Sequence, residues 1–196
     1  FQTNDAKAAY PENISKKGTV IFNPINDKLP EPYHGEREKY VTTFCRVSRQ
    51  KNLPVLVSAF AGFHKDFSDY RLKIIGEPQN DDDTAALEET KNLAMKLGIT
   101  EYIDFLPFST QVHDLIIRDA MYVNSSDYEG MSNAMLEAMA IGMPVICTDC
   151  PIGGANAVID NNKNGILTEV GNAEEMCEAM KKIADDNSFA DKLSHN

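Results

Sequence analysis

The sequence predicts an α/β fold, a doubly wound parallel sheet of the Rossmann-like kind. Two observations lead there. Short apolar runs at 120–123 and 143–147 lack a polar face, which is how strands covered on both sides read, and 71–76 and 103–106 read as further strands. Between them lie segments of helical period, so strand and helix alternate along the chain. The 196 residues suffice for one such unit with a substantial core, with room for a fragment of another.

Each element has a local reason. Residues 1–18 are polar and carry Pro11 and Gly18, so they read as a connector. Thr19, Val20, Ile21 and Phe22 predict a short strand that ends at Asn23-Pro24, and a loop with Pro30, Pro32 and Gly35 leads to a strand at 39–45. Asn52 is placed to cap a helix with Pro54 in its first turn and Val55, Leu56, Ala59, Phe60 and Phe63 on its apolar side. After the strand at 71–76, a helix at 84–97 stops at Gly98, and the strand at 103–106 is ended by Pro107 and Phe108. A short helix at about 110–118 brings the chain to the strand at 120–123, and a helix entered through Ser132 and Asn133 stops at Gly142. The strand at 143–147, paired Gly153 and Gly154, a short helix through Ile159, an Asn164-Gly165 turn, a strand at 166–168 and an amphipathic helix at 173–186 complete the pattern. The expected organisation is a connector at 1–18, a Rossmann-like unit at 19–187, and the start of a further helix at 188–196.

The chemistry gathers on two loops that follow strands, where ligands of such sheets sit. Arg46, Arg49 and Lys51 stand ahead of a helix N-terminus, the wrong end for cations, in an otherwise acidic protein. Arg49 reads as surface charge. Arg46 and Lys51 are better explained by a bound anion, since a guanidinium forks onto phosphate oxygens and an ammonium adds a point charge. On the second loop, Glu129 and Glu137 are spaced E-x7-E; on one helix they would lie ~12 Å apart along the axis and ~80° apart around it. Glu137 sits among Met135, Leu136, Ala138 and Met139, where a carboxylate needs a partner, and ribose hydroxyls would serve. Backbone N–H groups near Gly130, Met131 and Ser132 would receive a diphosphate. The plainer alternative has Glu129 favouring the helix dipole and Glu137 half in water.

Other features carry less. The formal net charge of −11 argues against nucleic acid or an anionic membrane as the main partner. Cys45, Cys147, Cys150 and Cys177 make one C-x2-C, too little for a zinc site or a disulfide framework, and read as reduced thiols of a cytoplasmic protein. Asp81, Asp82 and Asp83 match a D-x-D metal pattern but read as the solvated first turn of a helix. His113 reads as structural, and His34, His64 and His195 have no partners in sequence that suggest a role. No membrane-spanning run and no signal peptide are present, and the chain opens on Phe1 as an excised piece of a longer protein would.

Taken in order, FCRVSRQKN, KIIGEP, IDFLPF, NSSDYEGMSNAMLEAMAIGMPVICTD, GG and NGIL resemble the C-terminal, donor-binding domain of the family 4 (group 1) retaining glycosyltransferases of the GT-B fold. The resemblance spans nearly the whole chain, and its most specific part is EG-x6-EAMA-x-G-x-PV. It implies a transferase that moves a sugar from a nucleoside diphosphate sugar to a hydroxyl of a glycan or lipid-linked acceptor, in polysaccharide or surface-glycan assembly. The donor would be a UDP-sugar, or alternatively a GDP-sugar, with no cofactor and no metal. It further implies that Arg46 and Lys51 hold the diphosphate, that Glu129 faces the donor sugar and Glu137 the ribose. Gly130, Met131 and Ser132 would offer N–H groups, and Pro107 and Phe108 would lie by the base. A missing N-terminal domain would carry the acceptor and any peripheral membrane contact, leaving this piece inactive alone. Cys45 departs from the glycine usual before the arginine. Rival readings are a nucleotide-sugar epimerase or sugar phosphorylase on the same fold, and a noncatalytic nucleotide-binding module.

Overall fold

A computed structural model describes residues 1–26 and 28–195. Its centre is a six-stranded sheet, all parallel, in the order β3-β2-β1-β4-β5-β6, with β1 Glu38–Phe44, β2 Arg71–Ile75, β3 Ile103–Leu106, β4 Asp119–Asn124, β5 Val145–Thr148 and β6 Ile166–Thr168. The helices are α1 Asn4–Ala8, α2 Glu12–Ser15, α3 Leu53–His64, α4 Asp81–Lys96, α5 Val112–Ile116, α6 Asn133–Ala140, α7 Ala155–Val158, α8 Ala173–Asp185 and α9 Asn187–His195. The doubly wound sheet expected from the apolar runs is therefore present.

Successive side chains on a strand point to opposite faces, and here both faces are covered. Met121 and Val123 join a core with Phe60, Phe63 and Met180 from α3 and α8, while Tyr122 between them joins a second core with Met135, Ala138 and Ile116 from α6 and α5. Ile146 likewise faces the first core, and Val145 and Cys147 the second. That is why these strands show no polar alternation in the sequence.

Strands β1, β2 and β4 are tied by one buried carboxylate. Asp119 is fully buried and accepts from the Thr42 hydroxyl on β1, while Lys73 of β2 lies 2.8 Å from its other oxygen. Burial pushes the Asp119 carboxyl upward, and the Lys73 and Thr42 contacts oppose that. Three adjacent strands are thus held in register by a group that the apolar pattern does not reveal.

Several boundaries differ from the sequence expectation. Thr19 to Phe22 do not enter the sheet: Ile21 and Phe22 are 72% and 51% exposed, and the stretch has no ladder partner among the described residues. β-branched composition states a preference, and a strand forms only where a partner is available. Residues 1–18 hold two short helices, the first capped by Thr3, whose hydroxyl accepts from Ala6 N–H at 2.9 Å. α4 begins three residues early because Asn80 caps it, accepting from Asp83 N–H. Asp83 is buried and accepts from Gln79 N–H and the Asn80 amide, so only part of the acidic triplet is solvated. α6 begins at Asn133, which puts Glu129 on the loop before it; the helical estimate of its separation from Glu137 does not apply. The last helix, α9, buries Leu193 in the first core, and Asn196 lies outside the described residues.

Gly76 ends β2 at φ +152°, and a Cβ there would stand 1.9 Å from the Cys45 carbonyl oxygen. Only glycine lets the post-β1 and post-β2 loops lie this close. Gly76→Ala is expected to destabilise the fold by more than about 2 kcal/mol, read as a fall in the denaturant midpoint at unchanged slope.

Candidate active site

The strand order reverses between β1 and β4, and the loops leaving these two strands are bound to each other across the crevice so formed. Asp127 N–H donates to the Gln50 carbonyl at 2.9 Å, and the Ser125 hydroxyl to the Lys51 carbonyl at 2.8 Å. Asn52 stands at the N-cap position of α3 in a left-handed conformation. Its side chain does not cap the helix; it donates to Asp127 Oδ1 at 2.6 Å.

Lys51 and Glu129 meet at this crossing as an ion pair, their side chains 16% and 19% exposed. The Glu129 carboxylate also accepts from the Ser126 hydroxyl at 3.2 Å and from the Gln50 amide at 3.3 Å. Both of its oxygens are therefore engaged and its orientation is fixed by three donors. Gln50 and Ser126 carry no sequence signal for this role; Gln50 reaches Glu129 because the two loops cross, and Ser126 reaches it from three residues away on the same loop.

Arg46 and Phe108 are elsewhere in the same region. Both line a cleft of about 400 Å³ at the carboxyl ends of β1, β2 and β3, together with Phe44, Cys45, Val112 and Ala134. Phe108 is 66% exposed, and Pro107 beside it is exposed and outside the lining. Arg46 is exposed and makes no ion pair among the described residues. Arg49, by contrast, is held by Asp82 at 2.7 Å and by both oxygens of Glu89 at 2.9 and 3.0 Å, so it is paired surface charge and not free charge.

The loop from Glu129 to Ser132 is clamped from two sides. Gly154 N–H donates to the Gly130 carbonyl at 2.8 Å, and a Cβ on Gly154 would come within 2.8 Å of Met131 Cα. The paired glycines thus let protein backbone, here the Glu129 loop, pack closely. On the other side Gln2 Oε1 accepts from Met131 N–H at 3.0 Å, and Asn23 donates to the Met131 carbonyl at 3.1 Å and to Asn133 Oδ1 at 2.9 Å. Ser132 caps α6, accepting from Met135 N–H at 3.3 Å. Among the described residues the N–H groups of Gly130 and Ser132 have no protein acceptor.

Glu137, expected to need a partner, has one in the protein: His113 Nε2 lies 3.0 Å from Oε2. His113 is thus not isolated, as its place in the sequence suggests. Among the described residues no group of three or more His, Cys, Asp or Glu is arranged to hold a metal ion, and no helix is long and apolar enough to cross a membrane.

This geometry has a known setting. The family model for glycosyl transferases group 1 matches residues 26–196. The chain belongs to that family. A glycosyltransferase of Campylobacter jejuni, the N-acetylgalactosamine-N,N'-diacetylbacillosaminyl-diphospho-undecaprenol 4-alpha-N-acetylgalactosaminyltransferase, is 27% identical over 179 residues, 89% of this chain and 46% of its own. This group 1 chain spans about half the length of the curated relatives it matches. The crystal structure of the C-terminal domain of a group 1 glycosyl transferase, LpcC of Francisella tularensis, superposes with a TM-score of 0.75 at 20% identity, covering 88% of this chain and 94% of that one. Anabaena HepE in complex with UDP-glucose gives a TM-score of 0.75 at 21% identity over 81% of this chain and 42% of its own. Its neighbours place the fold of this chain with the GT-B glycosyltransferases.

Burial pushes the Cys45 thiol, on the cleft wall, up to about 11, with Lys51 pulling the other way. About one thiol in a thousand is then ionised at pH 8, so iodoacetamide should label Cys45 far more slowly than free cysteine there, the rate climbing tenfold per pH unit toward 11. Peptide mapping after timed alkylation reads this directly.

Proposed function

We propose that this chain is the donor half of a retaining glycosyltransferase, one that transfers a sugar from a nucleoside diphosphate sugar to a hydroxyl of a glycan or lipid-linked acceptor. The observation that carries the reading is the meeting of Lys51 with Glu129 where the strand order reverses, a basic group for a diphosphate set against a carboxylate for a sugar. A UDP-sugar is the donor favoured, because HepE was crystallised with UDP-glucose. The Campylobacter relative, named for transfer onto an undecaprenol-linked glycan, supports an acceptor of that class and a place in surface-glycan assembly. The chain covers half of such proteins, so acceptor binding and turnover are assigned to the whole protein and not to this half.

The roles follow from position. Arg46, on the cleft wall with no ion pair among the described residues, and Lys51 receive the diphosphate, and the N–H groups of Gly130 and Ser132, with no acceptor among those residues, add uncharged donors. As the sugar–phosphate bond breaks, negative charge grows on the departing diphosphate. These groups stabilise it without a metal, which is the main catalytic task. Glu129 faces the sugar and stabilises positive charge at its anomeric carbon. Glu137 takes the ribose, and Phe108 with Pro107 flanks the base. Met131 N–H, held by Gln2 in this structure, becomes available to the donor only by exchange with that side chain.

Calorimetric titration with UDP, GDP and ADP in EDTA tests the assignment. UDP should bind without metal, and Lys51→Ala should weaken it by about tenfold or more. Binding that requires a divalent ion, or an unchanged affinity in the variant, would overturn the role of Lys51.

Glu129 competes with a diphosphate for Lys51, which leads to a sharper expectation. In the whole enzyme Glu129→Gln should lower turnover at least about a hundredfold. Its affinity for UDP should hold or rise, since the ammonium is released. A parallel fall in both quantities would show that Glu129 serves binding alone.

A further inference from the structure

Glu137 lies in the middle of α6 with Leu136 and Ala138 beside it, and its side chain is only 19% exposed. A carboxylate so far from water needs partners for its oxygens. Among the described residues it has one, His113, and only Oε2 is engaged; Oε1 accepts no hydrogen bond from them. An ionised carboxylate only accepts, so Nε2 of His113 carries the hydrogen. The imidazole is itself held in place. Its side chain is 14% exposed, its ring meets Phe44 edge-on at 5.9 Å and 84°, and Val112 and Ile116 anchor α5 in the second core. Phe44, Val112 and Ala134, the last one turn before Glu137 on α6, line the cleft that Arg46 shares.

We propose that His113 is a positioning residue for the nucleoside: by holding Oε2 it fixes the Glu137 carboxylate so that Oε1 stays available to the vicinal hydroxyls of the ribose. The inference rests on the donor-site reading above, and adds to it the residue that aims the carboxylate. The choice of histidine has a physical reason. A lysine would give a mobile ammonium with three donors, able to wrap both oxygens, whereas imidazole gives one directional N–H from a rigid ring and leaves the second oxygen unclaimed. Sequence alone hides the relation, because the two residues lie 24 positions apart on different helices.

The competing role is a staple that merely joins α5 to α6, and nucleotide analogues separate the two. The chain and its His113→Ala and His113→Gln variants are titrated with UDP and with 2′,3′-dideoxy-UDP, and each protein is checked by thermal unfolding. The native chain should prefer UDP by about tenfold. His113→Ala should lose about tenfold for UDP and nothing for the dideoxy nucleotide, so that the preference vanishes. His113→Gln, whose amide Nε2–H can still reach Oε2, should recover part of it. Equal losses for both nucleotides, or a preference that survives in His113→Ala, would overturn the inference. A native chain that binds both nucleotides equally well removes the ribose from Glu137 and the inference with it. A native chain that binds no nucleotide overturns the donor-site reading itself, and is told apart by that result.

Discussion

The ion pair between Lys51 and Glu129 joins the two loops that leave the sheet where its strand order reverses, and the rest of the candidate site is arranged about it. β1 and β4 run parallel and adjacent, so their helices return on opposite faces and a crevice opens between the loops. Neither loop could hold a charged group at its tip unaided. The bonds from the Asp127 backbone N–H to Gln50 and from the Ser125 hydroxyl to the Lys51 carbonyl supply the rigidity, and the pair then sits on a frame set by the sheet. Its partial burial matters as well. A charge pair with under a fifth of each side chain in water is screened far less than one on the open surface, so it would offer the proposed diphosphate a partner worth exchanging for.

Close packing of backbone on backbone does the remaining positioning. Gly154 brings the post-β5 turn against Gly130 and Met131, while Gly76 brings the post-β2 turn against Cys45. A side chain at either place would move the loop that carries a functional group, by about the ångström that decides whether a charge is useful. Gln2 and Asn23 close the other flank of the Glu129 loop with amides, and amides can exchange with the hydroxyls of a ligand at little cost because both sides keep their hydrogen bonds.

How much of this was legible in the sequence depends on whether the signal is local. The buried strands were plain because a parallel strand covered on both faces needs apolar residues throughout, and β4, buried from Asp119 to Asn124, is the extreme case. Ser132 and Gly142 marked the ends of α6 because caps act within a few residues. The same local reading failed at Thr19 to Phe22, where strand composition met no partner strand, and at Asp83, where a cap took the carboxylate out of solvent. The expected site positions carrying Lys51 and Glu129 come together as one pair, and Arg46 and Phe108 share one cleft. His113, Gln50 and Ser126 were not legible as functional residues. His113 and Gln50 act through an atom on another element, which nothing in the spacing encodes, and Ser126 reaches Glu129 within its own loop through a turn that carries no sequence signal.

Charge shows the same dependence on neighbours. Arg46, Arg49 and Lys51 look alike as three cations in six residues, yet the fold gives each a different fate. Asp82 and Glu89 neutralise Arg49 on the surface, Glu129 engages Lys51 in the crevice, and Arg46 on the cleft wall makes no ion pair among the described residues. The protein as a whole carries a formal −11, which repels a nucleotide diphosphate at long range. Beyond a Debye length of about 8 Å that field is largely screened, so what an anion meets on arrival is the local arrangement. One guanidinium without an ion pair, one exchangeable ammonium and two backbone N–H groups without an acceptor, all among the described residues, are what the proposed diphosphate site would use in an acidic protein. Pairing Arg49 away keeps that site confined to the crevice.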